Sequence, residues 1–479
     1  MLERIPTHIP NLDVILGGGL PANSVVLISG TPGSGKTLLA NQIIYANATA
    51  ERKALFVSTL SEPFSRLIRY TQEFQFFVPE KAGNAVVYED LSSRLLTGGS
   101  ETALAHLEKL LQEMQPAFLV VDSIRAVHDL SPNAAAARRD FFRLVGTLTT
   151  LPCTALLVGE YHPDEMTRTV EASIADVILH LQHRNQGMLE QRVLKVFKMR
   201  ASDYLHGEHT FKISSAGLEV FPRFTTPREP IKYTPSLERA ATGIPGFDDE
   251  LFPGGILRGT TTLLAGDPGV GKTVTALHFL LNGAQNNDSG VYISFQEAPS
   301  QLARIAENFK FDVESLAKIN QLKMLYASPI GLDINEHALK IVAAINAVNA
   351  RRVVIDSISD LGASAGSNPE SFFNYVYALV QWFKDRGITA MLTAEMSDMF
   401  ANELTLTGRG VSHIADNLLM LRFTEMEGVI HSAITVLAAR GSDHSRQVRE
   451  YLISEEEGPR LGGPLTSAFN LFTMTRRKE

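Results

Sequence analysis

Gly30-Thr31-Pro32-Gly33-Ser34-Gly35-Lys36-Thr37 and Gly266-Asp267-Pro268-Gly269-Val270-Gly271-Lys272-Thr273 are two copies of one pattern, G-x-x-x-x-G-K-[ST], in a chain of 479 residues. A short apolar run precedes each copy (Val25–Ser29 and Thr261–Ala265), and in the first copy a helix-forming stretch, Lys36–Asn47, follows. A strand before and a helix after make the pattern a phosphate-binding loop. Glycines let backbone N–H groups close around phosphates, and the helix aims the positive end of its dipole at them. The lysine neutralises charge on the β- and γ-phosphates of ATP, and the threonine hydroxyl ligates Mg²⁺. A lone match could be an ordinary glycine-rich turn. Two in register leave that reading little room.

The sequence around the loops repeats as well. Ile9-Pro10-Asn11-Leu12-Asp13 leads to Gly17-Gly18-Gly19-Leu20 and then the first loop; Ile244-Pro245-Gly246-Phe247-Asp248 leads to Gly254-Gly255-Ile256 and then the second. Asp-Ser pairs start at Asp122 and Asp356, and later landmarks sit at Arg200 and Arg440, at nearly the same spacing from their loops. A period this long means duplicated domains and not a solenoid. Residues 224–237, rich in proline and without periodicity, read as a linker between a first domain over 1–223 and a second over 238–479.

Within each half, apolar strand-like runs alternate with helical patterns, which predicts crossover-connected parallel strands. The first half offers strands at Val25–Ser29, Ala54–Ser58, Phe118–Val121 and Ala155–Val158, with helices over Lys36–Asn47, Thr102–Met114 and Ala135–Leu148. The second offers Thr261–Ala265, Val291–Phe295, Val353–Ile355 and Ala390–Thr393, with a helix over Phe372–Phe383. Further β-rich runs, Leu194–Lys198 and Ile434–Leu437, come after the fourth strand. The fold class expected is α/β: two tandem RecA-like P-loop domains, each a mostly parallel sheet flanked by helices.

Composition agrees with such a chain. It is 44% hydrophobic and 20% charged, with a net charge of −8. That charge argues against a surface built to grip nucleic acid, although a basic channel could sit inside an acidic assembly. Cys153 is the single cysteine, so no intrachain disulfide can form, and it reads as a small buried residue. The N-terminus does not read as a signal peptide and no apolar run has the length of a membrane span, so a soluble cytoplasmic protein is expected.

Each loop needs a second Mg²⁺-organising acid at the end of another strand. Asp122, after Leu119-Val120-Val121, and Asp356, after Val353-Val354-Ile355, fit that place. The alternative is an acid that merely caps a helix. ATP chemistry also needs a carboxylate to orient or deprotonate the nucleophile. Glu297, in Phe295-Gln296-Glu297-Ala298-Pro299, is the candidate in the second half. In the first half Thr59-Leu60-Ser61-Glu62-Pro63 offers only Glu62, which reads equally well as an acid at a helix N-terminus.

Taken together, the duplicated loops, the repeated Asp-Ser element, Lys198-Met199-Arg200 with the following Gly207–Ile213, and Arg440-Gly441-Ser442-Asp443-His444 resemble the KaiC family of double-domain ATPases and autokinases over nearly the whole chain. The resemblance implies homo-hexamers of two stacked rings with ATP and Mg²⁺ between subunits. It implies that Lys198 and Arg200 reach a neighbour's ATP, with Arg440 doing so in the second ring, where Ala438 replaces the family lysine. It also implies a serine/threonine autokinase. Ser412 falls on the family's phosphoacceptor serine, His413 replaces the adjacent threonine, and Thr407 matches a nearby one. Ser412 can equally be a polar residue before a strand. The family's Glu-Glu pair becomes Leu60-Ser61 in the first domain and Gln296-Glu297 in the second, so the first domain is expected to bind ATP and hydrolyse it poorly. A regulatory partner like the family's KaiB is implied, while the family's long C-terminal tail is shortened or missing after Thr473.

Two other classes compete with a ring-shaped timer or signalling switch. A recombination or helicase ring ATPase would need basic and aromatic residues on central loops. Candidate loops near Ser364–Asn368 and Ala134–Arg139 supply only Arg138 and Arg139. A nucleotide-stabilised scaffold would bind ATP and scarcely turn it over.

Overall fold

The structure is a computed structural model; it describes residues 3–60, 64–166, 169–186, 189–226, 237–364, 369–396 and 413–465. The chain divides into two compact units, Met1–Arg223 and Phe224–Glu479.

Among the described residues, the main sheet of the first unit has nine strands: β1 (Val25–Gly30), β2 (Ala54–Ser58), β3 (Val86–Asp90), β4 (Phe118–Asp122), β5 (Thr154–Glu160), β6 (Val177–Gln186), β7 (Leu189–Met199), β8 (Glu208–Ser214) and β9 (Gly217–Phe221). Their order is β3-β2-β4-β5-β1-β6-β7-β8-β9. The first six are parallel, and β7 to β9 extend the sheet as antiparallel hairpins. The second unit repeats this order with β10 (Thr261–Gly266), β11 (Gly290–Ser294), β12 (Leu322–Tyr326), β13 (Arg352–Asp356), β14 (Thr389–Glu395), β15 (Asn417–Met426), β16 (Val429–Ala439), β17 (Arg449–Ser454) and β18 (Gly458–Pro464). These are the mostly parallel sheets flanked by helices that the sequence leads one to expect of tandem RecA-like domains.

The central strands are continuous apolar runs because helices cover both faces. Alternation sends Val26, Ile28 and Phe56 into one core layer and Val25, Leu27, Leu55 and Val57 into the other. The second sheet divides in the same way, with Leu264 and Tyr292 on one side and Leu263, Val291 and Ile293 on the other. The repeated aspartates before the loops have a local task. Asp13 accepts hydrogen bonds from the Thr7 backbone and hydroxyl at 2.8 Å, and Asp248 does the same for Thr242 at 2.9 Å.

Several elements differ from the sequence reading. The edge strands β3 and β12 were not expected, because Glu89, Asp90 and Lys323 interrupt their short apolar runs. Strands β6 and β15 also went unnoticed; buried His180 and Arg422 interrupt their patterns. The helix expected from Thr102 begins at Ser92 and passes through non-helical backbone at Gly99. Arg138 and Arg139 stand in a helix, Ala134–Thr149, and not in a loop; Arg139 lies 3.5 Å from Asp140. Cys153 is buried and unbridged, and burial pushes its thiol up to about 12. Among the described residues no helix is long and apolar enough to cross a membrane.

Candidate functional site

Both phosphate loops sit at the C-terminal end of the central parallel strand, between β1 and the helix α1 (Lys36–Asn47) and between β10 and the helix α2 (Lys272–Gln285). Gly35 and Gly271 precede these helices with φ of 98° and 108°, a left-handed conformation that glycine adopts at no steric cost. Neither helix start is capped by a side chain, so its first N–H groups are left to face a ligand. At Gly30 and Gly266 a Cβ would lie 2.0 Å and 2.3 Å from the carbonyl oxygens of Leu181 and Leu421. The backbone of the adjacent strand therefore admits only glycine there.

The loop lysines are buried. Lys36 Nζ donates to the Thr31 carbonyl at 2.8 Å, and Lys272 Nζ donates to the carbonyls of Gly266 and Asp267 at 3.0 Å and 2.8 Å. Burial lowers both ammonium groups. Glu160 and Asp122 push back on Lys36, and Glu395, Asp356 and Asp267 push back on Lys272. Two hydroxyls of the first loop, Thr31 Oγ1 and Ser34 Oγ, are buried without a protein partner. An anion in the loop would satisfy both kinds of group, so the donor set fits a polyphosphate. In the second loop Asp267 faces the opposite way: it accepts the Phe423 N–H at 3.0 Å and lies 3.7 Å from Arg422. Pro32, Gly33, Pro268, Gly269 and Val270 complete the two turns.

Thr37 Oγ1 donates to Asp122 Oδ2 at 2.5 Å, and Thr273 Oγ1 donates to Asp356 Oδ2 at 2.8 Å. Strand order brings each pair together, since β4 and β13 end at the same sheet edge as the loops. One hydroxyl and one carboxylate, both hard oxygen donors, suit Mg²⁺ that keeps waters and binds phosphate. Among the described residues no group of three or more His, Cys, Asp or Glu gathers as an all-protein metal cage.

The surroundings of the two aspartates differ. Tyr292 donates to Asp356 Oδ2 at 2.6 Å, and the Thr393 hydroxyl donates to Asp356 Oδ1. The corresponding places in the first unit hold Phe56 and Val158. The first cavity, about 670 Å³, is lined by Lys36, Thr37, Asp122 and Glu160 together with apolar Phe56, Leu60, Leu67 and Phe74. The second, about 250 Å³, is lined by Lys272, Thr273, Gln296, Glu297, Asp356, Asp360 and Glu395. Burial first, and then the charge of Asp356, raises the Glu297 carboxyl above the ordinary glutamate range. Within that lining Gln296 donates to Asp360 at 2.9 Å. Glu62, Ser412 and Thr407 lie outside the described residues.

The remaining candidates stand apart from their own loops. Arg200 N donates to the Asp176 carbonyl and Asp176 N to that of Val25, which places Arg200 level with the start of β1. Arg440, Asp416 and Thr261 repeat the arrangement at β10. At ~3.3 Å per residue, each arginine is about 16 Å along the strand from the loop of its own unit. Lys198 donates to the carbonyls of Ala172 and Ser173, and Arg200 lies 3.4 Å from Asp176 while its side chain stays exposed. Arg440 makes a 3.5 Å contact with the His413 carbonyl.

A parallel sheet with a phosphate loop at the end of its central strand, and an acid two strands away within reach of the loop threonine, defines a RecA-like P-loop ATPase, and this chain carries two. A family profile described as "ATPase: KaiC" matches residues 5–224 and 240–461. The chain is 28% identical to the circadian clock oscillator protein KaiC of Picosynechococcus sp. over 95% of its own length and 89% of that protein's. It is 29% identical to circadian clock oscillator protein KaiC 1 of Synechocystis sp. (96% and 89% covered) and 27% identical to KaiC of Synechococcus elongatus (96% and 89% covered). The chain belongs to the KaiC family of ATPases.

Proposed function

We propose that this protein is an ATP-hydrolysing serine/threonine autokinase that assembles as an ATP-bridged homo-hexamer and acts as a signalling or timing switch. The observation that carries the assembly is the place of Arg200 and Arg440, exposed at the sheet edge opposite their own loops. An arginine there cannot serve the ATP of its own unit, but it can stabilise transition-state charge at a neighbour's. The names of the relatives, clock oscillator proteins, support the timing role. A KaiB-like regulatory protein is the partner this reading calls for.

The chemistry falls to the second site. The α2 N-terminus and Lys272 hold the phosphates, and Mg²⁺ held by Thr273 and Asp356 would supply positive charge to the phosphate oxygens. Glu297, with its raised carboxyl, takes the proton from water or from a protein hydroxyl, for which Ser412 and Thr407 are the candidates. The first site keeps Lys36, Thr37 and Asp122 but presents Leu60 where an acid is wanted, so it holds ATP and turns it over slowly. Intact-mass and site-mapping mass spectrometry after incubation with MgATP tests the kinase. Phosphate on Ser412 or Thr407, lost in Glu297→Gln, is the expected result; ATP consumption with no phosphorylated residue would contradict it.

A further inference from the structure

Each loop has one more carboxylate beside it. Glu160 is the last residue of β5 and pairs in register with Gly30; Glu395 is the last residue of β14 and pairs with Gly266. Parallel neighbours end at one edge, so both acids arrive next to a loop lysine. Glu160 Oε1 lies 3.8 Å from Lys36 Nζ, and Glu395 is the leading charge acting on Lys272. Both line the cavity of their own unit.

In the second cavity Glu395 shares the lining with Glu297, Asp356 and Asp360. Among the described residues the first cavity has fewer acids: Asp122, Asp129 and Glu160. Asp122 is engaged by Thr37 at the Mg²⁺ position. Asp129 accepts two hydrogen bonds from Arg125 Nε, at 3.1 Å and 3.3 Å. Glu160 remains, with its side chain more than half exposed and the buried Lys36 ammonium as its ion-pair partner. That ammonium lets a carboxylate stand beside a polyphosphate, since it sits between two negative groups and offsets their repulsion.

We infer that Glu160 is the carboxylate that orients and deprotonates the attacking water in the first site. The inference rests on the reading of the first loop as an ATP site. The water oxygen forms a bond to the γ-phosphorus, and the bond from that phosphorus to the β–γ bridging oxygen breaks. ADP leaves with the electron pair, and the water proton passes to Glu160 and then to solvent. On this reading the slow turnover of the first site is chemistry performed from the end of β5.

The test uses the full-length protein with Lys272→Ala, which confines ATP to the first site. ATP retained per chain and ADP formed in a single turnover are measured together with MgATP. Adding Glu160→Gln is expected to slow ADP formation about 100-fold, the lower range for loss of a general base, while retained ATP stays within about twofold and Glu160→Asp restores part of the rate. An unchanged rate in Glu160→Gln overturns the inference. So does loss of ATP retention in Glu160→Gln, which would make Glu160 a support for Lys36 only. If the Lys272→Ala parent retains ATP but forms no ADP, the inference falls and the binding reading stands; if the parent retains no ATP, both fall.

Discussion

Asp122 and Asp356 occupy the same place in two copies of one sheet, and each accepts a hydrogen bond from its loop threonine. Around them the copies part. Asp356 also receives Tyr292 and Thr393, while Phe56 and Val158 stand in the same places beside Asp122. Beyond the aspartate, Gln296 and Glu297 line one cavity, while Leu60, in the place of Gln296, lines the other. The parts that grip phosphate have been kept twice, while among the described residues the second cavity gathers more carboxylates than the first. Duplication frees one copy to hold nucleotide while the other reacts with it.

The largest effect expected is at Glu297. Glu297→Gln should lower steady-state phosphate release by ~100-fold or more, as loss of a positioned base does, with ATP binding intact. Installing the second site's pair in the first, Leu60→Gln with Ser61→Glu, should raise ADP formation by Lys272→Ala protein by ~10-fold or more if a base at the end of β2 serves that site better than Glu160 does. No gain would mean that the difference between the sites lies elsewhere. Tyr292→Phe should cost about tenfold in turnover at limiting Mg²⁺, since a hydrogen bond to a charged group is worth about 1.5 kcal/mol. Phe56→Tyr should tighten the Mg²⁺ dependence of the first site.

The smallest effect is in pH dependence. Burial and Asp356 raise the Glu297 carboxyl, so the folded protein holds that proton more tightly than the unfolded chain does. Turnover at the second site should rise with pH through a limb above the ordinary glutamate range. For the same reason the ionised group costs stability once pH exceeds its unfolded value. Thermal melting of Glu297→Gln at neutral pH should therefore be no lower than that of the parent; a clear drop would mean that the carboxylate is held by contacts that favour its charge.

The duplicated loops and the alternating runs carried the fold class, because a buried parallel strand announces itself as an unbroken apolar run, as Val25–Ser29 does. Strands β3 and β12 escaped because charged residues interrupt their short apolar runs, and the helix at Ser92 escaped because Gly98-Gly99 reads as a break. Leu60 and Glu297 could be read against a known pattern. Tyr292, Thr393, Glu160 and Glu395 could not, since only sheet register brings them to the loops. One signal was available: in both copies the run beside the loop strand ends in glutamate, at Gly159-Glu160 and Ala394-Glu395.

The division of labour is tested most directly by the nucleotide each site keeps. Protein with Lys272→Ala or with Lys36→Ala is loaded with MgATP, freed of unbound nucleotide and quenched in acid over time. The first-site nucleotide in Lys272→Ala should remain ATP over the interval in which the second-site nucleotide in Lys36→Ala becomes ADP. Equal conversion in the two proteins, or faster conversion in Lys272→Ala, would contradict the claim that the second loop is the reactive one.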